Sequence, residues 1–222
     1  MLSLLAISLT FAFLALAQDR VTFPTEDGGL IYADVYGSSE RAVVLAHGGR
    51  FNKESWEKQA RILVENGYRV LAFDFRGFGQ SRGPGQADMF TAPMHLDVLG
   101  AVRYLRKTGA QKVALVGGSF GAFACADAAV QAKPGEIDRV ILLASEPGSH
   151  PEKFKVPKLL IIARDDASGD GPRLPHIRSE WQKVPEPKEM IVLPGSAHAQ
   201  FLFQTGQADQ VMREILRFLS AN

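Results

Sequence analysis

The chain contains the stretch Val113-Ala114-Leu115-Val116-Gly117-Gly118-Ser119-Phe120-Gly121, in which an apolar run leads into a turn of glycine and serine. An Ala-rich segment typical of a helix follows directly. A serine on such a sharp strand-to-helix turn needs small neighbours, and its hydroxyl projects beyond the carboxyl end of the strand. Backbone N–H groups at the start of the next helix favour negative charge at the same place. The stretch therefore predicts Ser119 as a nucleophile.

Similar apolar runs recur along the chain and alternate with segments of helical periodicity. Unbroken apolarity is what a strand requires when both faces of a parallel sheet are covered. The other runs begin at Val43, Val70, Val140, Leu159 and Met190, and the periodic segments span residues 56–64, 98–105, 177–184 and 212–219. Two earlier runs, 21–23 and 30–36, flank a turn at 26–29 that is typical of a hairpin.

This alternation predicts an α/β fold within a single domain, residues 18–222. We expect a mostly parallel, doubly wound sheet of about eight strands with a leading β-hairpin and helices on both faces. The segment between Ser145 and Lys158 is too short for an inserted helical lid, so we expect no cap domain.

A serine hydroxyl needs a base, and the base needs an acid that orients it. His198 follows the last apolar run and is the predicted base. Asp166 follows the preceding run and is the predicted acid, with Asp165 as the alternative and Glu146 as a third choice. Because each residue follows a different strand, we expect them to meet at one edge of the sheet.

The sequence His47-Gly48-Gly49 follows the first buried strand. Glycine in this position lets backbone N–H groups approach the oxyanion of a tetrahedral intermediate. The predicted donors are the N–H groups of Gly49 and Phe120, with Arg50 as an alternative to Gly49. The His47 imidazole is interpreted as a hydrogen-bond partner within this loop.

These motifs, together with Asp74-Phe75-Arg76-Gly77-Phe78-Gly79-Gln80-Ser81, resemble the α/β-hydrolase superfamily in order and spacing over nearly all of residues 21–219. The resemblance implies a serine hydrolase that cleaves carboxylic esters of small or medium acyl groups through an acyl-enzyme. Serine at position 119 argues against epoxide hydrolase and haloalkane dehalogenase activity, which use aspartate in this superfamily. Two alternatives stay open: a non-catalytic binding protein of this fold, and a hydrolase of amide, peptide or thioester bonds.

The composition limits the partners that we expect. The chain has 25 Lys and Arg residues and 24 Asp and Glu residues, which give a net charge of +1. This balance lacks the excess of positive charge that is typical of nucleic-acid-binding proteins. A single cysteine excludes a disulfide scaffold, and neither a metal-ligand cluster nor a phosphate-binding loop is present in the sequence. We therefore expect a small ester-like substrate, no cofactor and no metal, and the oligomeric state stays open.

The amino terminus predicts a signal peptide over residues 1–17. Residues 4–17 carry no charge and are fewer than the roughly 20 apolar residues that span a bilayer. Small residues at 15 and 17 favour cleavage after Ala17. We expect export to the periplasm or the medium, without stable membrane insertion after cleavage. An uncleaved tether is the alternative.

Overall fold

The computed structural model describes residues 18–89 and 91–221. The strands are β1 (Gln18–Pro24), β2 (Leu30–Tyr36), β3 (Arg41–Ala46), β4 (Arg69–Phe73), β5 (Lys112–Gly118), β6 (Arg139–Leu143), β7 (Lys158–Ala163), β8 (Ala167–Ser168), β9 (Gly171–Pro172) and β10 (Lys188–Leu193). The α-helices are α1 (Glu57–Glu65), α2 (His95–Lys107), α3 (Phe120–Gln131), α4 (Arg173–Lys183) and α5 (Ala208–Ser220). Short 3₁₀ helices span Lys53–Trp56, Pro151–Lys153 and Ala199–Gln204.

Eight of the strands form one sheet in the order β1-β2-β4-β3-β5-β6-β7-β10. β1 pairs antiparallel with β2, and β2 pairs antiparallel with β4. Every pairing from β4 to β10 is parallel. β8 and β9 form a separate small antiparallel hairpin. The predicted eight-stranded sheet with a leading hairpin is confirmed.

The central strands are buried because their side chains are apolar on both faces. All residues of β7 are buried, as are all but the first residue of β3, β4, β5 and β6. Helices α2 and α3 pack against each other, and α1 packs against β2 and β4. Helices cover both faces of the sheet, as predicted. The parallel strands therefore end together at one carboxyl edge, where the loops that follow them meet.

A buried arginine fixes the segment that follows β4. The fully buried Arg76 donates from Nε and Nη2 to Oδ1 of Asp97 in α2, at 2.9 and 2.6 Å. It also donates from Nη2 to Asp27 in the β1–β2 turn, at 3.0 Å, and from Nη1 to the Pro84 carbonyl, at 2.9 Å. A buried charge is stable only when it is paired and hydrogen-bonded. This network ties the loop after β4 to both the hairpin and α2.

The predicted signal peptide, residues 1–17, lies outside the described residues. Within 18–89 and 91–221, no helix combines the length and apolarity that a membrane crossing requires.

Candidate active site

Ser119 occupies a tight turn between β5 and α3. Its backbone has φ 51° and ψ −121°, a left-handed conformation that is unusual for a residue other than glycine. The turn is feasible because its glycines leave room: a Cβ on Gly117 would lie 2.5 Å from the Gly121 carbonyl oxygen. A Cβ on Gly121 would lie 2.4 Å from the carbonyl oxygen of His47. The glycines thus allow the turn to close against the loop that follows β3.

The three predicted side chains form a continuous chain of hydrogen bonds. The Ser119 hydroxyl donates to Nε2 of His198 at 2.7 Å. On the other side of the ring, Nδ1–H donates to Oδ2 of Asp166, also at 2.7 Å. Asp166 is buried, whereas the side chain of His198 is 27% exposed. The geometry matches a serine oriented toward a base whose ring is held by a buried carboxylate.

The alternative acids lie elsewhere. Asp165 is exposed, and its backbone N–H donates to the Gly195 carbonyl at 2.9 Å. Glu146 follows β6 and lies 3.1 Å from Nε2 of His176 in α4. Of the three carboxylates considered, Asp166 is the one in contact with His198.

The loop after β3 lies against the turn that carries Ser119. A Cβ on Gly48 would come within 3.2 Å of the Gly118 carbonyl oxygen. Among the described residues, the backbone N–H groups of Gly49 and Phe120 have no protein acceptor. Both groups are therefore free to donate to a ligand at this edge.

His47 is a buried, neutral member of the same loop. Its Nδ1–H donates to the Gly48 carbonyl at 2.9 Å, and its Nε2 accepts the Phe75 N–H at 3.3 Å. One nitrogen therefore donates while the other accepts, which only the neutral ring allows. Burial lowers the pKa of His47 to about 4. These contacts agree with the interpretation of His47 as a hydrogen-bond partner within the loop.

Residues 41–164 match the family model described as the alpha/beta hydrolase fold. This chain belongs to the α/β-hydrolase family. Among its relatives, a non-heme chloroperoxidase from Streptomyces lividans is 29% identical over 135 residues, 57% of this chain and 45% of that protein. An epoxide hydrolase from Caballeronia sordidicola is 35% identical over 83 residues, 36% of this chain and 24% of that protein. The chain thus spans less than half the length of these curated relatives.

Solved structures show the same fold over most of this chain. An esterase from Pyrococcus furiosus superposes with a TM-score of 0.75 and 19% identity, covering 92% of each chain. A bromoperoxidase from Bacillus anthracis has a TM-score of 0.74 and 19% identity, covering 91% of this chain and 100% of its own. At this level of identity the likeness concerns the fold.

A cavity of about 900 Å³ opens beside Ser119 in this α/β-hydrolase. Small-molecule sites usually occupy roughly 300–1,000 Å³, so the space is ample for an organic substrate. Its apolar lining comes from the segment before α2, from α3, from the residue that follows β6, from β9 and from α4. It comprises Met89, Ala92, Pro93, Met94, Phe120, Phe123, Ala124, Ala144, Pro172 and Ile177. Sequence reasoning did not foresee that Met89, residues 91–95 and the β8–β9 hairpin would border this site.

The polar side of the cavity carries charges of both signs. Asp127 accepts the N–H of Ser149 at 2.7 Å and its hydroxyl at 2.9 Å. His95 also lines the cavity, and burial lowers its pKa below the ordinary value. Arg173 lies with its Nε 3.5 Å from Oδ1 of the buried Asp166. The cavity therefore borders both Ser119 and Arg173, and Arg173 faces the Asp166 carboxylate.

Two polar residues near the site were not singled out by sequence reasoning. Arg173 begins α4, and Gln200 lies two residues beyond His198. The chemical type of each residue is ordinary for a loop or a helix start, so residue type gave no signal for either. The position of Gln200 close behind the predicted base was the one available indication.

Within the described residues, no group of three or more His, Cys, Asp or Glu side chains is arranged to hold a metal ion. Cys125 is fully buried in α3, and burial raises the pKa of its thiol. A buried neutral thiol is a poor nucleophile, so its role is packing.

Proposed function

We propose that this α/β-hydrolase is a serine hydrolase that cleaves carboxylic esters of small or medium acyl groups. The observation that carries the proposal is the series of hydrogen bonds from Ser119 through His198 to Asp166, beside a cavity with both apolar and charged walls. The esterase of the same fold from Pyrococcus furiosus supports this class of substrate.

In the proposed reaction, the Ser119 oxygen attacks the ester carbonyl carbon while its proton passes to Nε2 of His198. The carbonyl oxygen becomes an oxyanion, which accepts hydrogen bonds from the N–H groups of Gly49 and Phe120. Asp166 holds the ring in the tautomer that leaves Nε2 free to accept and stabilises the imidazolium. When the intermediate collapses, the alcohol departs with the proton from Nε2 and leaves an acyl group on Ser119.

Water completes the cycle. It gives a proton to Nε2 of His198 as its oxygen attacks the acyl carbon, and a second oxyanion forms in the same place. Collapse returns the proton to the Ser119 oxygen and releases the carboxylic acid. Since the side chain of His198 is 27% exposed, water has access to the base.

The test compares hydrolysis of p-nitrophenyl acetate, butyrate and longer esters by the wild type and by S119A. Loss of the triad serine costs roughly a million-fold in kcat in another serine hydrolase. D166N and D165N form a matched pair. We expect D166N to lower kcat by about 10⁴-fold, as when a triad aspartate elsewhere is replaced, and D165N to stay near wild type. Equal rates for wild type and S119A would refute the proposal.

Peroxide-dependent halogenation is a second candidate, because relatives named chloroperoxidase and bromoperoxidase share the family or the fold. Halogenation of monochlorodimedone with hydrogen peroxide and halide, in wild type and S119A, would detect it. Epoxide hydrolysis is not proposed, because a serine occupies position 119 where that activity uses aspartate in this superfamily.

We also propose a single catalytic domain, residues 18–222, and export with cleavage after Ala17. Mass measurement of the protein recovered from the periplasm or medium tests the cleavage. A mature chain that still carries residues 1–17 would indicate the tethered form instead.

A further inference from the structure

Gln200 is a buried amide that joins separate loops. The residue is 3% exposed, its Oε1 accepts the N–H of Gly48 at 2.7 Å, and its Nε2 donates to Oγ of Ser55 at 2.8 Å. The Ser55 hydroxyl in turn donates to the Asn52 carbonyl at 2.5 Å. Because a backbone N–H only donates, the amide oxygen must face Gly48, and each donor in this series meets an acceptor.

The loops that Gln200 joins carry two parts of the proposed catalytic machinery. Gly48 directly precedes Gly49, whose N–H is a proposed oxyanion donor, and Gln200 follows His198 by two residues. Ala199, between His198 and Gln200, has φ 49°, a strained conformation that the surrounding structure must hold in place. The amide thus fixes the Gly48 backbone relative to the loop of the base.

The same side chain also packs against the turn of the nucleophile. A Cβ on Gly118 would lie 3.1 Å from Cγ of Gln200 and 3.2 Å from its Oε1. Gly118 directly precedes Ser119 in the chain. Gln200 therefore lies against both Gly48, which precedes Gly49, and Gly118, which precedes Ser119.

We infer that Gln200 is a positioning residue for the oxyanion hole, holding the N–H of Gly49 at a fixed place relative to Ser119 and the N–H of Phe120. The inference rests on the proposed function. An oxyanion donor contributes when it is already in place as charge develops, so a loose donor lowers kcat more than it changes substrate binding. Gln200 touches no substrate and acts through Gly48.

The experiment compares Q200M, Q200E and the control Q204M, which changes an exposed glutamine in the same 3₁₀ helix. Q200M keeps the length of the side chain but removes the acceptor of the Gly48 N–H. We expect kcat on p-nitrophenyl acetate to fall by about 10- to 100-fold, less than the 100- to 1,000-fold that follows loss of a donor elsewhere, with KM nearly unchanged. Q200E keeps an oxygen toward Gly48 and should lie between Q200M and the wild type.

Two further readouts separate positioning from general destabilisation. Affinity for an alkylboronic acid, which forms a tetrahedral adduct on the serine, should fall by the same factor as kcat. Amide hydrogen exchange at Gly48 should be faster in Q200M, while exchange at the backbone amides of β5 and β6 stays as slow as in Q204M.

The outcomes distinguish the inference from the proposed function. If the wild type hydrolyses esters and Q200M matches Q204M in kcat and boronate affinity, the positioning role is wrong and the proposed function stands. If the wild type and S119A are equally inactive, the proposed function fails. The exchange rate at Gly48 then still reports whether Gln200 holds that backbone.

Discussion

Replacement of Arg173 tests whether the buried carboxylate of Asp166 depends on a counter-charge. Asp166 directly precedes β8 and Arg173 directly follows β9, so the small hairpin brings the two residues together. The backbone N–H of Arg173 donates to the backbone carbonyl of Asp166 at 2.9 Å, and Nε of the Arg173 side chain lies 3.5 Å from Oδ1 of Asp166. Oδ1 has no hydrogen-bond partner among the described residues. R173M removes the positive charge and keeps most of the length of the side chain.

The expected loss of kcat in R173M follows from the distance between Nε of Arg173 and Oδ1 of Asp166 and from the exposure of the Arg173 side chain. Unit charges 3.5 Å apart attract by about 5 kcal/mol at an effective dielectric constant of about 20. The Arg173 side chain is 37% exposed, so water compensates for much of the lost charge, and we expect about 1–3 kcal/mol to remain. If that loss lets the Asp166 carboxylate leave its place beside Nδ1 of His198, the ring is no longer oriented and kcat drops by roughly 10- to 100-fold.

The assay is steady-state hydrolysis of p-nitrophenyl acetate by R173M, R173K and the control R178M, which changes an exposed arginine of the same helix. R173M should lower kcat with little change in KM for this small neutral ester. R173K should recover part of the loss, because the lysine restores the charge without the planar fork. A kcat for R173M within twofold of R178M would refute the reasoning.

Two predictions concern stability. The Arg76 guanidinium lowers the pKa of Asp27 to about 2, so the ionised carboxylate stabilises the folded state above about pH 4, and this contribution is lost as the pH falls toward 2. Because the Asp27 side chain is 22% exposed, we expect D27N to lower the free energy of unfolding in urea by about 1 kcal/mol at pH 7. The difference from wild type should shrink near pH 2, and a difference that stays constant with pH would contradict this. In G121A, the new Cβ would lie 2.4 and 2.5 Å from the carbonyl oxygens of His47 and Ala46, so the turn must shift. We expect about 1–3 kcal/mol of destabilisation with loss of esterase activity, against near-wild-type behaviour for G206A, whose Cβ meets nothing within 4 Å.

The sheet could be predicted from the sequence because each strand is marked by residues that are neighbours in the chain. Each central strand is a short apolar run, and burial on both faces is what makes such a run unbroken. The same holds for Ser119, whose glycine neighbours are required by contacts of 2.4–2.5 Å that no side chain tolerates. His198 and Asp166 were placed by strand order alone, and the structure brings their side chains into hydrogen-bond contact with each other.

The border of the cavity was not predictable in the same way. Met89 comes from an irregular segment, and a Cβ on Gly49 would lie 2.5 Å from its terminal methyl group. Irregular segments carry neither the 2-residue nor the 3.6-residue periodicity from which structure is predicted. The contact of Gln200 was even less predictable from the sequence, because its hydrogen-bond partner Gly48 lies 152 residues away in the chain. Its burial is a property of the folded edge and leaves no trace in the neighbouring sequence.

The backbone strain in this molecule is concentrated at that edge. Ser119, Ala144 and Ala199 are the non-glycine residues with positive φ in the described part of the chain. Ser119 is the proposed nucleophile, Ala144 lines the cavity, and Ala199 follows the proposed base. Such conformations cost of order 1–3 kcal/mol each and persist only when the surroundings enforce them. The hydrogen bonds of the Gln200 amide to Gly48 and Ser55 hold the residue that follows Ala199, so their removal should loosen this edge before it unfolds the sheet.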